Sequence, residues 1–562
     1  MASAGDDKLK ISFYRIVFRA TAPFIFILLL YGCAQIVKPT GGPKDTTPPK
    51  ALNFLPENKS ILFNSKKIVI RFNKYIQLKD IQNQLVISPP LKNFPKVTVV
   101  GGKSMEITIK DTLHDSTTYT FNFGNSIADI TEGNILHNFR YVFSTGAYLD
   151  SLSLTGKIID AFTQTPIKDG IIMLYSSAND SAPYKMLPYY YARSDEKGAY
   201  KIENIKEGTY RVIALSKTGT DYFYHPYTEE IGFINKPIKI KANDTANLSL
   251  FTEINAKVHV LKTKALEQNR ILIVFNAPAD STSIKPLNLA SDTIYYSYLQ
   301  YSQTADTVNY WLYTPRLDSL KFIVKRNNKV LDTSVISYFP GKVHKKVSEK
   351  PPLNLILNVH NNQQDFDYHS AITIQSPYPI AKIKRGLIYL TKRKDTLRFT
   401  EDTSGLPFSI ALHSVLEGDS AYQLFIAPGV FTDYSGRVND TIKYHFITDM
   451  PTFFGTLKLN LKVTRTIPYI VQLLDAHGNV ARQDNITDSS AMSPSGGKGV
   501  TLNYDALPPA NYTIRVIDNV KGTGKWTTGN YMKGIQPAKV YYFPQTITIR
   551  SDWDVVQNWQ VP

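Results

Sequence analysis

The sequence predicts an all-β protein made of several β-sandwiches in tandem, and three observations carry that reading. Helical periodicity is nearly absent after residue 50. Short runs rich in Val, Ile, Tyr, Phe and Thr recur instead, set off by clusters of Asn, Asp, Gly and Pro. The chain has 562 residues, several domains at the usual size of about 100–200 residues each. Whole phrases of sequence also return at long intervals, which marks repeated modules.

The first element precedes the strands. Lys8, Lys10, Arg15 and Arg19 form a basic region, followed by the apolar stretch Thr21 to Tyr31. That stretch is too short for a spanning helix, which needs about 20 apolar residues, and the layout is that of a secretory signal peptide over residues 1–32. It ends at Leu30-Tyr31-Gly32-Cys33, and Cys33 is the only cysteine in the chain. This stretch resembles a bacterial lipobox, with Tyr31 in place of the usual small residue. The resemblance implies lipidation of Cys33, a thiolate being well suited to accept a diacylglyceryl group. Two or more acyl chains give stable membrane anchoring. Residues 33–50 continue as a Pro-, Gly- and Thr-rich tether without apolar periodicity.

Composition bounds the remainder. Apolar residues make up 43% of the chain, with 35 Tyr and 28 Phe, enough for several cores. With no cysteine after the anchor, each exported domain is held by packing alone. Net charge is +17, of which residues 1–32 supply +2 (four basic, two acidic). Lys and Arg are scattered, with short clusters at Lys382-Ile383-Lys384-Arg385 and Lys392-Arg393-Lys394. The simplest reading is a solvated basic face beside an anionic membrane, with no nucleic-acid partner.

Two module types follow the tether, in the order first, second, first, first, second. The first, at 51–147, contains Lys67 to Lys74 and Ser104 to Ile109. It closes with Tyr119 to Phe123, the turn Asp129-Ile130-Thr131-Glu132-Gly133-Asn134, and Phe139 to Gly146. The closing phrase returns as Tyr422 to Ile426, Asp433-Tyr434-Ser435-Gly436-Arg437 and Ile442 to Asp449, defining a unit at 346–450. A fainter echo, Arg270 to Asn276 with Asp318 to Phe322, defines one at 256–345. The second type, at 148–255, runs Leu154 to Asp160, Thr165 to Tyr175, Ser194 to Ile202 and Ile205 to Val212. It recurs degraded at 451–562 as Gly455 to Leu459, Val471 to Asp475 and Leu507 to Val516.

The Pro-Pro lead-in, the Arg71-Phe72-Asn73 strand and the Phe143-Ser144-Thr145 ending resemble bacterial Ig-like domains of the S-layer-protein type. Joined to the tether, they resemble the start of Bacteroidota Ig-like lipoproteins. The second module type is similar to the transthyretin-like, carboxypeptidase-regulatory sandwich, with its paired Gly-x-Tyr turns. Both resemblances imply spacers or binding surfaces.

Chemistry-bearing patterns are sparse. The His residues are dispersed and no metal or cofactor is expected. Ser495-Gly496-Gly497-Lys498-Gly499 lacks phosphate-loop spacing. Asp129 with Glu132 and Asn134, and Asp433 with Asp440, read as turn-closing residues before they read as calcium ligands. Asp followed by Ser or Thr and an apolar or small residue is frequent. This looks like the O-glycosylation acceptor pattern of exported Bacteroidota proteins, and it makes Thr112, Ser181, Thr245, Thr293, Thr307, Ser319, Thr396 and Thr441 candidates. Tyr189, Tyr190, Tyr191, Tyr222, Phe223 and Tyr224 form aromatic clusters that suit a partner surface or, equally, a local core.

The expected function is therefore non-catalytic: an outer-membrane lipoprotein serving as a structural or accessory subunit of an envelope complex, such as a β-barrel assembly, secretion or transport machine. The alternative is a cell-surface glycan- or peptide-binding lipoprotein. Its membrane face stays open, with a glycan coat and the modular array pointing outward.

Overall fold

The computed structural model describes residues 44–561 except 178, 217–221, 255–256, 268, 303, 316, 338–350, 464–467, 488–498 and 520. Among the described residues strands make up 51% and helix 2%, so the fold is all-β, as expected of tandem sandwiches. Among the described residues no helix is long and apolar enough to cross a membrane.

Two compact units interleave along the sequence. One comprises the described residues up to Leu85 with Lys92–Leu113 and Phe121–Phe143. The other comprises Val86–Leu91, His114–Thr120 and the chain from Ser144 onward.

The smaller unit is built on a four-stranded antiparallel sheet in the order Ala51–Leu55, Lys67–Phe72, Ser104–Thr108, Lys96–Val100. Alternation explains its single buried face: Ile68, Ile70 and Phe72 are buried while Lys67 and Arg71 are exposed. Aromatic rings fill the core. Phe63 and Phe143 stack with centroids 3.8 Å apart, and Phe54 stacks on Phe139 at 6.3 Å. A small sheet, Ile76–Leu78, Ile127–Asp129 and Ile135–Leu136, carries the turn at Asp129. That carboxylate accepts the main-chain N–H groups of Glu132 and Gly133 at 2.7 and 2.9 Å.

In the larger unit the same sheet order recurs twice. It appears as Val260–Glu267, Arg270–Phe275, Thr307–Tyr313, Tyr296–Tyr301, and again as Ile356–Leu357, Ile372–Gln375, Ser409–His413, Thr400–Asp402. Each repeat faces a second sheet across a core, with Ile271, Tyr310 and Phe322 in one and Ile374, Leu424 and Phe446 in the other.

The likeness reaches single hydrogen bonds. Thr145 Oγ1 donates to the carbonyls of His114 and Thr117 at 2.7 and 3.3 Å and accepts the Thr117 N–H at 3.0 Å. Thr448 Oγ1 does the same with the Glu417 and Ser420 carbonyls at 2.7 and 3.3 Å and the Ser420 N–H at 3.1 Å. Tyr119 and Tyr422 hydroxyls accept the His114 and Glu417 N–H groups, both at 2.8 Å.

The second module type also repeats. Leu152–Asp160 lies between antiparallel Ala199–Ile205 and parallel Leu248–Thr252. Gly455–Val463 likewise lies between antiparallel Gly499–Leu507 and parallel Asp554–Val561. In both, a tyrosine closes a turn onto the carbonyl four residues back: Tyr210 to Lys206 at 2.8 Å and Tyr512 to Pro508 at 2.9 Å.

Candidate functional site

The most elaborate constellation of polar and aromatic side chains lies where the sheet of Ile171–Tyr175 meets the long connection that follows Ala510–Asp518. It begins with a strand that does not alternate. Ile171–Tyr175 is buried at every position, as expected of a strand covered on both faces. Ile172 and Leu174 face the module's own core. Ile171, Met173 and Tyr175 face the other way, joined by Ile213, Leu215, Ile231, Phe233 and Phe251. This second face is covered by Tyr531, with Trp526 at its margin, from the long connection between Ala510–Asp518 and Val540–Tyr542.

Tyr531 is 3% exposed. Its ring lies edge-on to Phe233 at 5.1 Å and 6.1 Å from Tyr184. Its hydroxyl donates to the Asp180 carbonyl at 3.0 Å, and burial pushes its pKa up to about 12. Glu253, 4% exposed, takes the Tyr531 main-chain N–H on Oε1 at 2.8 Å and the Tyr224 hydroxyl on Oε2 at 2.6 Å. A buried carboxylate is tolerated only when so paired. Thr528 Oγ1 donates to the Thr252 carbonyl at 2.7 Å, and Gln536 Nε2 donates to Phe233 and Asn235 oxygens at 2.9 and 2.6 Å. Gly529 fits the loop against the sheet: a Cβ there would stand 2.6 Å from the Phe251 ring and the Ile535 carbonyl.

A second contact adjoins this one. Arg515 lies over the Phe162 ring at 4.4 Å and donates twice to Gln472 Oε1, while Phe162 packs on Trp526 at 5.2 Å. The Ig-type repeats of this unit meet through aromatic groups as well. Tyr434 contacts Tyr296, Tyr298 and Tyr313, its hydroxyl bonded to that of Tyr298. Trp311 contacts Tyr378 and Phe408, and Arg437 covers Tyr378 at 3.4 Å. Much of the tyrosine content is therefore mortar between modules.

The structure corrects the aromatic partner surface. Tyr190, Tyr191 and Tyr224 are buried, while Tyr189, Tyr222 and Phe223 are half-buried. Tyr191 accepts the Ile87 N–H at 3.1 Å and the Tyr222 hydroxyl at 2.7 Å, and burial holds its pKa well above the ordinary value. Tyr190 accepts the Lys206 N–H at 3.1 Å, and Tyr189 shares a hydrogen bond with Thr117 at 3.2 Å. These rings are used inside the chain because the second module's strand needs covering on its outer side as well.

Other predicted positions fall as follows. The signal peptide, Cys33 and the tether up to residue 43, and Ser495 to Lys498, lie outside the described residues. Thr112, Thr245, Thr396 and Thr441 are exposed, and Ser181, Thr293, Thr307 and Ser319 are half-buried. Asp129 and Asp433 both close turns: Asp433 accepts the Ser435 and Arg437 N–H groups and pairs with the Arg437 guanidinium at 2.6 Å. Among the described residues no three His, Cys, Asp or Glu gather as a metal cluster. The sequence singles out neither Glu253, Asn235, Tyr531 nor Gln536, and marks Asp180 only as the neighbour of Ser181. The missing alternation in Ile171–Tyr175 was the one signal that a second covering layer existed.

Residues 45–145 match the bacterial Ig-like domain family. No curated protein matches the chain. Among solved structures, the S-layer protein rSbsC(31-844) is 14% identical, covering 84% of this chain and 65% of that one, with a TM-score of 0.13. BcpA, the major pilin subunit of Bacillus cereus, is 9% identical over 73% of this chain and 98% of its own, with a TM-score of 0.13. The N-terminal eight Ig domains of Down Syndrome Cell Adhesion Molecule are 10% identical over 92% of this chain and 61% of theirs, at 0.14. The chain thus spans 65% of the S-layer structure's length.

Proposed function

We propose that the chain is a non-catalytic lipoprotein of a Bacteroidota-type outer membrane, serving as a structural or accessory subunit of an envelope complex. β-Barrel assembly, secretion and transport machines are the classes of partner in view. One observation carries the anchor: the only cysteine stands at the end of a signal-like segment, in Leu30-Tyr31-Gly32-Cys33, and a Pro- and Gly-rich tether follows. The bacterial Ig-like match at 45–145 begins within that tether, which suits an anchor followed directly by a β-module. The buried Glu253–Tyr531 clamp supports a structural role, since it fixes modules against one another.

O-glycans fit the exposed positions Thr112, Thr245, Thr396 and Thr441, and they favour the outer membrane face. The decisive experiment replaces Cys33 with serine and follows membrane fractionation and intact mass. Wild type is expected with the membrane and heavier by its acyl groups, and the variant unacylated and released. A variant that still sediments with membranes at unchanged mass removes the anchor. Mild-detergent capture through a C-terminal tag then identifies the complex, and a chain recovered alone argues against the subunit role.

A further inference from the structure

One sheet of the 346–450 module carries side chains that its sandwich does not require. Ile388–Lys392, Ala421–Ile426 and Ile442–Thr448 are adjacent antiparallel strands, with Asp395–Leu397 paired beyond the first. Ile388, Leu390, Tyr422, Leu424, Ile426 and Phe446 enter the core, so the alternate residues face outward.

Register arranges those residues in two rows. One runs Tyr389–Phe425–Lys443. Arg398 extends it at the other end, since it follows Leu397, the partner of Leu390. The second row, two residues along, is Thr396–Thr391–Gln423–His445. With strands about 4.8 Å apart, each four-strand row is about 14 Å long. Its order is cation, ring, ring, cation, beside a row of hydroxyl, amide and imidazole groups.

Tyr389 is 40% exposed, and its ring lies 6.1 Å from that of Phe425 at an angle of 34°. Arg398, Lys443 and His445 are exposed, as are Arg393 and Lys394 at the adjoining turn. The module's ion pairs engage Arg385, Lys392 and Arg437, while Arg398 and Lys443 reach solvent. The preceding module gives an internal control. Its strand Ser319–Arg326 buries Leu320, Phe322 and Val324 and turns Lys321, Ile323 and Lys325 the other way. The same sandwich forms there without an aromatic pair.

We propose that this face binds an acidic polysaccharide. The C–H faces of sugar rings pack on Tyr389 and Phe425, and carboxylates meet Arg398 and Lys443. Ring hydroxyls reach Thr391, Gln423 and His445. The cations stand at the ends of the row with rings between them, which fits charges spaced along a sugar chain.

The test is affinity electrophoresis of the purified full chain through gels containing polygalacturonate, with neutral dextran as the comparison. Polygalacturonate is expected to retard the wild type, less so as salt rises, and dextran is not. Tyr389→Ala, and Arg398→Gln with Lys443→Gln, are each expected to weaken binding about tenfold or more. Circular dichroism checks that these surface variants fold. Lys321→Gln with Lys325→Gln removes the same charge from the preceding module and is expected to leave binding unchanged. The proposal fails if the wild type is not retarded, or if the control pair weakens binding as much as Arg398 and Lys443 do. Tighter binding to oligothymidylate or phosphatidylglycerol vesicles through the same residues also overturns it.

Discussion

Glu253 and Tyr531 are 278 residues apart in the chain and are joined by one hydrogen bond, the Tyr531 main-chain N–H donating to Glu253 Oε1 at 2.8 Å. Both groups are buried, and Tyr224 donates to the other carboxylate oxygen at 2.6 Å. The bond is a clamp rather than a decoration: each partner, left alone, would be a desolvated polar group.

The clamp predicts two graded losses. Tyr531→Ala removes a ring from a packed cluster, worth about 3–5 kcal/mol for an aromatic-to-alanine change. Glu253→Ala orphans the Tyr531 N–H and the Tyr224 hydroxyl, at about 1–3 kcal/mol each. Glu253→Gln keeps an acceptor and should cost less than Glu253→Ala. Native-state hydrogen exchange is the suitable readout, because a multi-domain chain has no single unfolding free energy. Exchange should rise at Thr528 to Gln536 and at Ile231 to Phe233, while Leu457 to Leu461 in the last module's own core stays protected. Equal loosening of that core would mean the residues stabilise the module rather than the junction.

Thr145 and Thr448 make a matched pair for a second test. Each hydroxyl bonds two carbonyls and one N–H of the facing segment. Valine keeps the shape and removes every one of those bonds. Thr145→Val and Thr448→Val should each cost about 1–3 kcal/mol, and by similar amounts, measured as local exchange in Thr118–Asn122 and Ala421–Ile426. A large effect at one site only would show that the shared geometry is not shared energy.

The repeats were legible because their bonds are local in pattern. The Asp-x-x-x-Gly turn at Asp129 and the Asp-x-x-Gly turn at Asp433 each mark a strand end, and the Gly-x-Tyr phrase at Tyr210 marks a turn closed by its own tyrosine. The junction was not legible. Nothing near Tyr531 names Glu253, and three consecutive tyrosines at 189–191 read equally well as a surface or as a lining. Nor does the sequence tell that Trp553 is 54% exposed, beside Arg550. The run Ile171 to Tyr175 held the clue in its lack of alternation, but a sequence does not say which distant loop supplies the cover.

Gly156 gives a third prediction. It sits in the strand Leu152–Asp160, where a Cβ would come 1.9 Å from the Ala246 carbonyl oxygen and 2.9 Å from the Tyr200 hydroxyl. The obstacle is backbone, which cannot rotate away. Gly156→Ala must push the parallel strand aside, breaking the Ala246 N–H bond to Thr155 and the Tyr200 bond to the Ala246 carbonyl. A loss of about 1–3 kcal/mol or more is expected, visible as early proteolysis of 148–255. Gly478→Ala serves as the comparison, having open space around its Cβ position but a φ of 81° that makes alanine strained there. Its smaller cost, about 1 kcal/mol from backbone strain alone, separates strain from collision.

Acid should weaken the smaller unit through Asp129 and Asp45. Burial alone would raise the Asp129 pKa. Hydrogen bonds from the Glu132 N–H, the Asn134 amide and the Gly133 N–H, with Lys74 at 3.6 Å, hold it below its ordinary value instead. Lys74 bonded at 2.6 Å, with the Thr47 hydroxyl and N–H, does the same for Asp45. A carboxylate with a depressed folded pKa contributes stability that is complete above its unfolded value, about 3.9, and is lost as pH falls through the folded value. Lys74 runs the opposite way: its pKa is raised first by the Asp45 bond, so its contribution fades only as pH climbs above the ordinary lysine range. Opening of Lys67–Phe72, followed by exchange, should therefore cost the same at pH 5 and pH 7 and progressively less below pH 4. Asp129→Asn should start from a lower plateau and fall less steeply, because one of the two titrating groups is gone. If the variant and the wild type decline in parallel, the acid sensitivity belongs elsewhere in the unit.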